Sequence, residues 1–112
     1  MNQLDGAVPM RSRIEIPPDH AAYSGHFPGR PILPGALLLD EAVRIIECAR
    51  ALDLLKWQIA SAKFLEFVRP GDPLSLEHEA PVNGLIRFTI RAANRPVVTG
   101  TLSAAQDERD DV

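Results

Sequence analysis

This sequence predicts an α+β fold, with one long helix packed on a face of an antiparallel sheet. Three observations point there. A single stretch, residues 34 to about 52, repeats its apolar residues at helical spacing. The segments beyond it alternate apolar and polar residues, and Pro- and Gly-rich turns separate them. A run of strands after one helix implies an antiparallel sheet with the helix against it.

The elements follow in order. Residues 1–10 lack periodicity and read as a flexible leader. Arg11 to Ile16 alternates, with Ile14 and Ile16 on one face, and reads as a strand that Pro17-Pro18-Asp19 stops. Asp19 is suited to cap a helical turn from His20 to Tyr23, which Ser24-Gly25 would end. The helix then opens with Pro34, a residue tolerated in a first turn, and at about 1.5 Å per residue extends roughly 28 Å. Leu38, Ala42, Ile45, Ala49 and Leu52 form its apolar centre, widened by Leu39 and Ile46, while Asp40, Arg44 and Glu47 share the opposite stripe. Lys56 to Val68 reads as a long strand whose phase is disturbed near Ser61–Phe67, as a bulge would do. Arg69 to Pro73 turns, Leu74 to Ala80 alternates, Pro81 to Gly84 turns back, and Leu85 to Ala92 and Pro96 to Ala104 are the last strands. These four strands are expected to form a meander. Residues 11–104 make one domain, and residues 105–112 an acidic tail. One helix covers only part of such a sheet, so a partner subunit is expected to supply more cover.

Composition narrows the function. With 112 residues, 46% hydrophobic and 24% charged, the chain is an ordinary globular domain. A net charge of −3 gives no reason to expect nucleic acid. The single Cys48 excludes an intramolecular disulfide and fits a reducing compartment. The first residues do not read as a signal peptide, and no apolar run reaches the roughly 20 residues of a membrane span. A cytoplasmic protein is expected.

The most informative stretch is His26 to Asp40, HFPGRPILPGALLLD. Its first ten residues hold three prolines and two glycines, so the turn fixes a backbone path. The path places a histidine near the N–H-bearing end of a helix, with a carboxylate in that helix's second turn. A base, an oxyanion site and a carboxylate are the parts that eliminate water from an acyl thioester.

Over His26–Ala42 the sequence resembles the 3-hydroxyacyl-acyl carrier protein dehydratases of the FabZ/FabA type. The resemblance resumes at Ala62-Lys63-Phe64 and from Phe67 to Leu74 (FVRPGDPL). It implies a hot-dog fold, in which a sheet wraps one long central helix, and a double hot-dog homodimer or a higher even-numbered assembly with active sites at the dimer interface. It implies that His26 is the catalytic histidine, that the Ile32 carbonyl orients its imidazole, and that the Gly35 N–H receives the thioester oxygen. Asp40 falls at the catalytic carboxylate, contributed from the other subunit. Most such enzymes have Glu there, and the branch that also isomerises the double bond has Asp. The expected partner is acyl carrier protein with its phosphopantetheine-linked acyl chain, and no cofactor is implied. Where the family usually has Gln, four residues after the carboxylate, this chain has Arg44. A cation one turn from Asp40 favours the ionised carboxylate. Arg44 is therefore a possible modulator that works against Asp40 as a general acid.

The chemistry requires these parts. A carbanion beside a thioester must pass its charge to the thioester oxygen, and a backbone N–H at a helix start meets that charge with a fixed dipole. Gly35 has no Cβ and lets the acyl group approach. Histidine titrates near neutrality and can take the α-proton. Competing readings are plain: His26 as a hydrogen-bonded loop histidine, Asp40 as part of a solvated face, and Glu41 as a fallback carboxylate. His20 and His78 lack metal-ligand spacing. Arg30, Lys63, Arg69, Arg87, Arg91 and Arg95 suit either a patch for acidic carrier protein or ordinary solvated charge. Leu37, Leu38, Leu39 and Phe64 suit either an acyl tunnel or simple core packing. The competing functions are a hot-dog acyl thioesterase and a non-catalytic acyl-binding or scaffold subunit, the latter favoured only by Arg44.

Overall fold

The computed structural model of the chain describes residues 9–17, 33–53 and 56–104. The expected turn from His20 to Tyr23, most of the His26–Gly35 turn, nearly all of the leader and the 105–112 tail lie outside the described residues. Strand β1 spans Met10–Ile14, helix α1 Gly35–Arg50, and strands β2 to β5 Trp57–Phe64, Leu74–His78, Leu85–Ala92 and Arg95–Ala104. The first strand therefore takes in Met10, which was expected in the leader, and ends two residues early. Ile16 leaves the ladder but still packs against the core.

All five strands form one antiparallel sheet in the order β1-β3-β4-β5-β2. The expected four-strand meander is corrected here. Only β3, β4 and β5 are consecutive neighbours, and β2 lies at the far edge beside β5. Alternation says which face a residue takes and is silent on which strand lies beside it. The tight turns hold as read. Asn83 and Gly84 both have positive φ (53° and 77°), the two-residue hairpin geometry that Asn-Gly favours.

One face of the sheet carries Leu74, Leu76, Ile86, Phe88, Ile90, Val98 and Leu102, all buried. The other carries Ser75, Glu77, Arg87, Thr89 and Arg91. The disturbed phase of β2 is a bulge, placed between Ile59 and Ser61, earlier than expected. The extra residue lets Trp57 and Ile59 before it, and Ala62 and Phe64 after it, share the face that bears Leu102, Gly100 and Val98.

Helix α1 lies on the apolar face through Leu38, Ala42 and Ile46, each buried, and with the sheet they form the core cluster. Ala49 was placed in the apolar centre but is exposed. Contact follows the i, i+4 ridge, which winds roughly 40° around the helix per step, so the last turn meets the sheet through Arg50. The helix ends two residues sooner than expected. Ala51 turns left-handed (φ 55°), and the Leu52 N–H closes on the Glu47 carbonyl at 2.9 Å. This is a Schellman cap with alanine where glycine usually signals the stop. Among the described residues no helix is long and apolar enough to cross a membrane.

Truncating Ile46→Ala removes the centre of this contact and should cost about 2–5 kcal/mol in urea unfolding. Ala49→Ser should stay within about 0.5 kcal/mol of the parent. Equal losses would contradict the ridge.

Candidate active site

The helix start is built by Pro34. Its extended backbone (φ −62°, ψ 139°) turns the chain into α1, and its carbonyl accepts the Leu37 and Leu38 N–H groups at 3.1 and 3.4 Å. Pro34 has no side chain able to cap. The Gly35 and Ala36 N–H groups therefore have no acceptor among the described residues. Two backbone donors at the positive end of a 16-residue helix are left to receive negative charge. The start is fastened from behind, where the Leu33 N–H donates to the Val68 carbonyl at 2.8 Å and both residues are buried.

Gly35 also has a packing reason to be glycine. The Phe64 ring lies against it so closely that an added Cβ would collide with three ring carbons. Phe64 itself is 52% exposed. The bulge in β2 brings this ring to the apolar face, and with it to the helix start. Reading β2 as simple alternation leaves Phe64 and Leu65 as rival candidates for that face.

Asp40 lies on the exposed side of α1 and, among the described residues, makes no ion pair or side-chain hydrogen bond. The expected influence of Arg44 on it is redirected. Arg44 donates to Glu41 at 2.6 Å, one turn back. That hydrogen bond, then the Glu41 charge, raises the Arg44 pKa above its ordinary value. Glu41, the fallback carboxylate, is thereby engaged. Asp40 borders a cleft of about 510 Å³ whose other walls are Val43, Arg44 and Glu47 of α1, Trp57, Gln58 and Ile59 of β2, and Leu102. Trp57 and Gln58 were not singled out from sequence as site residues. Only the pairing of β2 with β5 places them there, and no local pattern reports it.

Gly35 does not line this cleft. Five residues separate it from Asp40, about 7.5 Å along the axis and roughly 140° around it. One chain thus holds its backbone donors at the helix end, directed along the axis, and its carboxylate on the exposed flank more than a turn further on. His26 and Ile32 lie outside the described residues.

The six cations divide. Arg91 pairs with Glu77 at 3.8 Å, Arg95 pairs with Glu66, and Arg30 lies outside the described residues. Arg69 belongs to the turn that Asp72 closes by accepting its backbone N–H at 2.9 Å. Lys63 and Arg87 form no ion pair among the described residues, and both line a shallow groove with Thr89, Thr99 and Thr101. No group of three or more metal-ligating side chains occurs among the described residues. His78 is buried in β3 and bound to Arg50.

Gly35→Ala should destabilise the fold by about 1–3 kcal/mol through overpacking. In a Phe64→Ala background the same change should cost less, with a coupling of about 0.5–3 kcal/mol in a double-mutant cycle. Additivity would place the ring elsewhere.

Residues 3–101 match the model of the ApeI-like family, described as ApeI dehydratase. The chain is 37% identical over 73 residues to the 3-hydroxyacyl-acyl-carrier-protein dehydratase FabZ of Latilactobacillus sakei, covering 59% of this chain and 52% of that protein. It spans about half the length of the curated relatives it matches. Among solved structures it superposes on the dehydratase heterocomplex ApeI:P from Xenorhabdus doucetiae (TM-score 0.69, 22% identity, 94% of this chain and 93% of that one). It also superposes on the fluoroacetyl-CoA thioesterase FlK (TM-score 0.63, 13% identity, 94% and 92%). At these identities the structural likeness shows the hot-dog fold alone.

Proposed function

This chain belongs to the ApeI-like dehydratase family, and we propose that it removes water from 3-hydroxyacyl thioesters on acyl carrier protein to give trans-2-enoyl thioesters. The pathway would be fatty-acid synthesis or a specialised polyene or polyketide route. One observation carries the reading. The Gly35 and Ala36 N–H groups have no acceptor among the described residues, and His26 precedes Gly35 by nine positions in the sequence. In this reading the thioester oxygen binds the Gly35 N–H and His26 takes the α-proton. The electrons of that C–H bond form the double bond as the β C–O bond breaks. Asp40, directly or through an ordered water, delivers the proton with which the hydroxyl leaves as water. Arg44, held by Glu41, does not oppose that role.

The separation of Gly35 from Asp40 supports a site shared between two subunits. A suitable edge is present. Strand β2 has no strand partner beyond it among the described residues, and it is exposed along nearly its whole length. Ile59, Phe64, Leu65 and Phe67 are 42–64% exposed there. An uncovered apolar edge of this kind is a template for pairing. A second copy is the proposed occupant. Because the X. doucetiae relative is a heterocomplex, a related but different chain is the second reading. Lys63 and Arg87, which form no ion pair among the described residues and share their groove with Glu79, would supply positive charge for an acidic carrier protein. A cytoplasmic location fits the free thiol of Cys48.

Incubated with a 3-hydroxyacyl-acyl carrier protein and followed by mass, the protein should produce the species lacking one water. Release of free acid would mark a thioesterase, and no change a binding subunit. His26→Ala and Asp40→Asn should each lower the rate by about 10²-fold or more, and Arg44→Gln only slightly. An active His26→Ala protein would refute the mechanism. Light scattering should show a dimer that Ile59→Asp converts to monomer with loss of activity. A parent that is monomeric and fully active would refute the shared site.

A further inference from the structure

His78 takes no part in the chemistry above, yet it is fully buried at the C-terminal end of β3. The Arg50 Nε donates to its Nδ1 at 2.9 Å, and the Arg50 Nη2 donates to its backbone carbonyl at 3.2 Å. A guanidinium has donors only. The bond to Nδ1 therefore exists only while that nitrogen keeps its lone pair, and the ring must be neutral with its proton on Nε2. Nε2 in turn has no partner among the described residues, so no carboxylate there would welcome an imidazolium.

Among the described residues the ladder neighbours are apolar. Met10 of β1 and Phe88 of β4 stand opposite His78 in the ladder. Glu77 alternates to the outer face, where it pairs with Arg11 and Arg91, and Glu79 is exposed. Arg50, from α1, is the charged group that acts on the ring. Burial first, and the Arg50 charge second, push the His78 pKa below its ordinary value.

We propose that Arg50 and His78 form an acid-released latch, which fastens the C-terminal turn of α1 to β3 while the imidazole is neutral and lets it go on protonation. A proton on Nδ1 removes the acceptor and puts two cations in contact. The latch completes the ridge of Leu38, Ala42 and Ile46, so its release loosens the helix that carries Asp40. The sign follows from linkage. The unfolded chain binds this proton at the ordinary histidine pKa, the folded chain only at lower pH. The stabilisation is therefore whole above the ordinary value and is lost as pH falls below it. The unfolding constant rises by up to about tenfold per pH unit until the lowered pKa is reached.

The test follows urea unfolding, and hydrogen exchange of the last turn of α1, from about pH 7 to about pH 5, around the ordinary histidine pKa. The parent should lose stability in acid, and the protection of the last turn of α1, taken relative to the unfolded chain at the same pH, should fall. His78→Gln keeps an acceptor for Arg50 but cannot titrate, and it should lose this pH dependence. Arg50→Gln keeps a donor without the charge, so the folded chain should take up the proton nearer the ordinary histidine pKa and the acid loss of stability should be smaller than the parent's. If His78→Gln shows the parent's acid response, or Arg50→Gln loses as much stability in acid as the parent, the latch is overturned. Should His78→Gln fail to fold, the size of the acid loss in Arg50→Gln decides alone.

Discussion

Burial of the ridge Leu38–Ala42–Ile46 against the apolar face of the sheet fixes the rotation of α1, and the rest of the site depends on that rotation. With those three side chains inside, Asp40 is turned to the exposed side and Arg44 stands beside Glu41. The same contact sets the helix start against β2. A register slip of the helix on the sheet would bury a charged side chain at a cost no surface pair could offset. The fold and the placement of chemical groups are thus one problem.

The first turn shows how little sequence this placement requires. Proline supplies an extended entry and a carbonyl, but no cap. Glycine leaves its N–H open and admits the Phe64 ring. The Leu33–Val68 hydrogen bond holds the turn from behind. A capping serine or aspartate would satisfy the helix start and compete with a bound oxyanion for the same donors. Among the described residues nothing caps the Pro-Gly entry, and packing elsewhere in the domain offsets the missing cap.

Much of this was legible in the residues. The helix, the Arg69–Pro73 and Pro81–Gly84 turns and strands β3 to β5 follow from spacing and from Pro, Gly and Asn placement, and Gly35 stood out as a helix-start glycine. Four features were hidden. The position of β2 beside β5 is a long-range pairing that alternation does not encode. The helix stop at Ala51 lacks its usual glycine, so only the backbone geometry shows it. Arg44 had three carboxylates within reach on its helix, Asp40, Glu41 and Glu47, and side-chain direction selected Glu41. The Arg50–His78 contact spans 28 residues, and neither residue announces it.

The central claim is that Gly35 of one subunit and Asp40 of another act on one acyl chain. Its most direct measurement is a crystal structure of the protein with an amide analogue of a 3-hydroxyacyl pantetheine thioester. The expected result is the analogue's carbonyl oxygen about 2.7–3.1 Å from the Gly35 nitrogen. The His26 imidazole should lie at the α-carbon, and Asp40 of a second subunit at the β-hydroxyl. An analogue held within a single chain, away from Gly35, with Asp40 left in solvent, would contradict it.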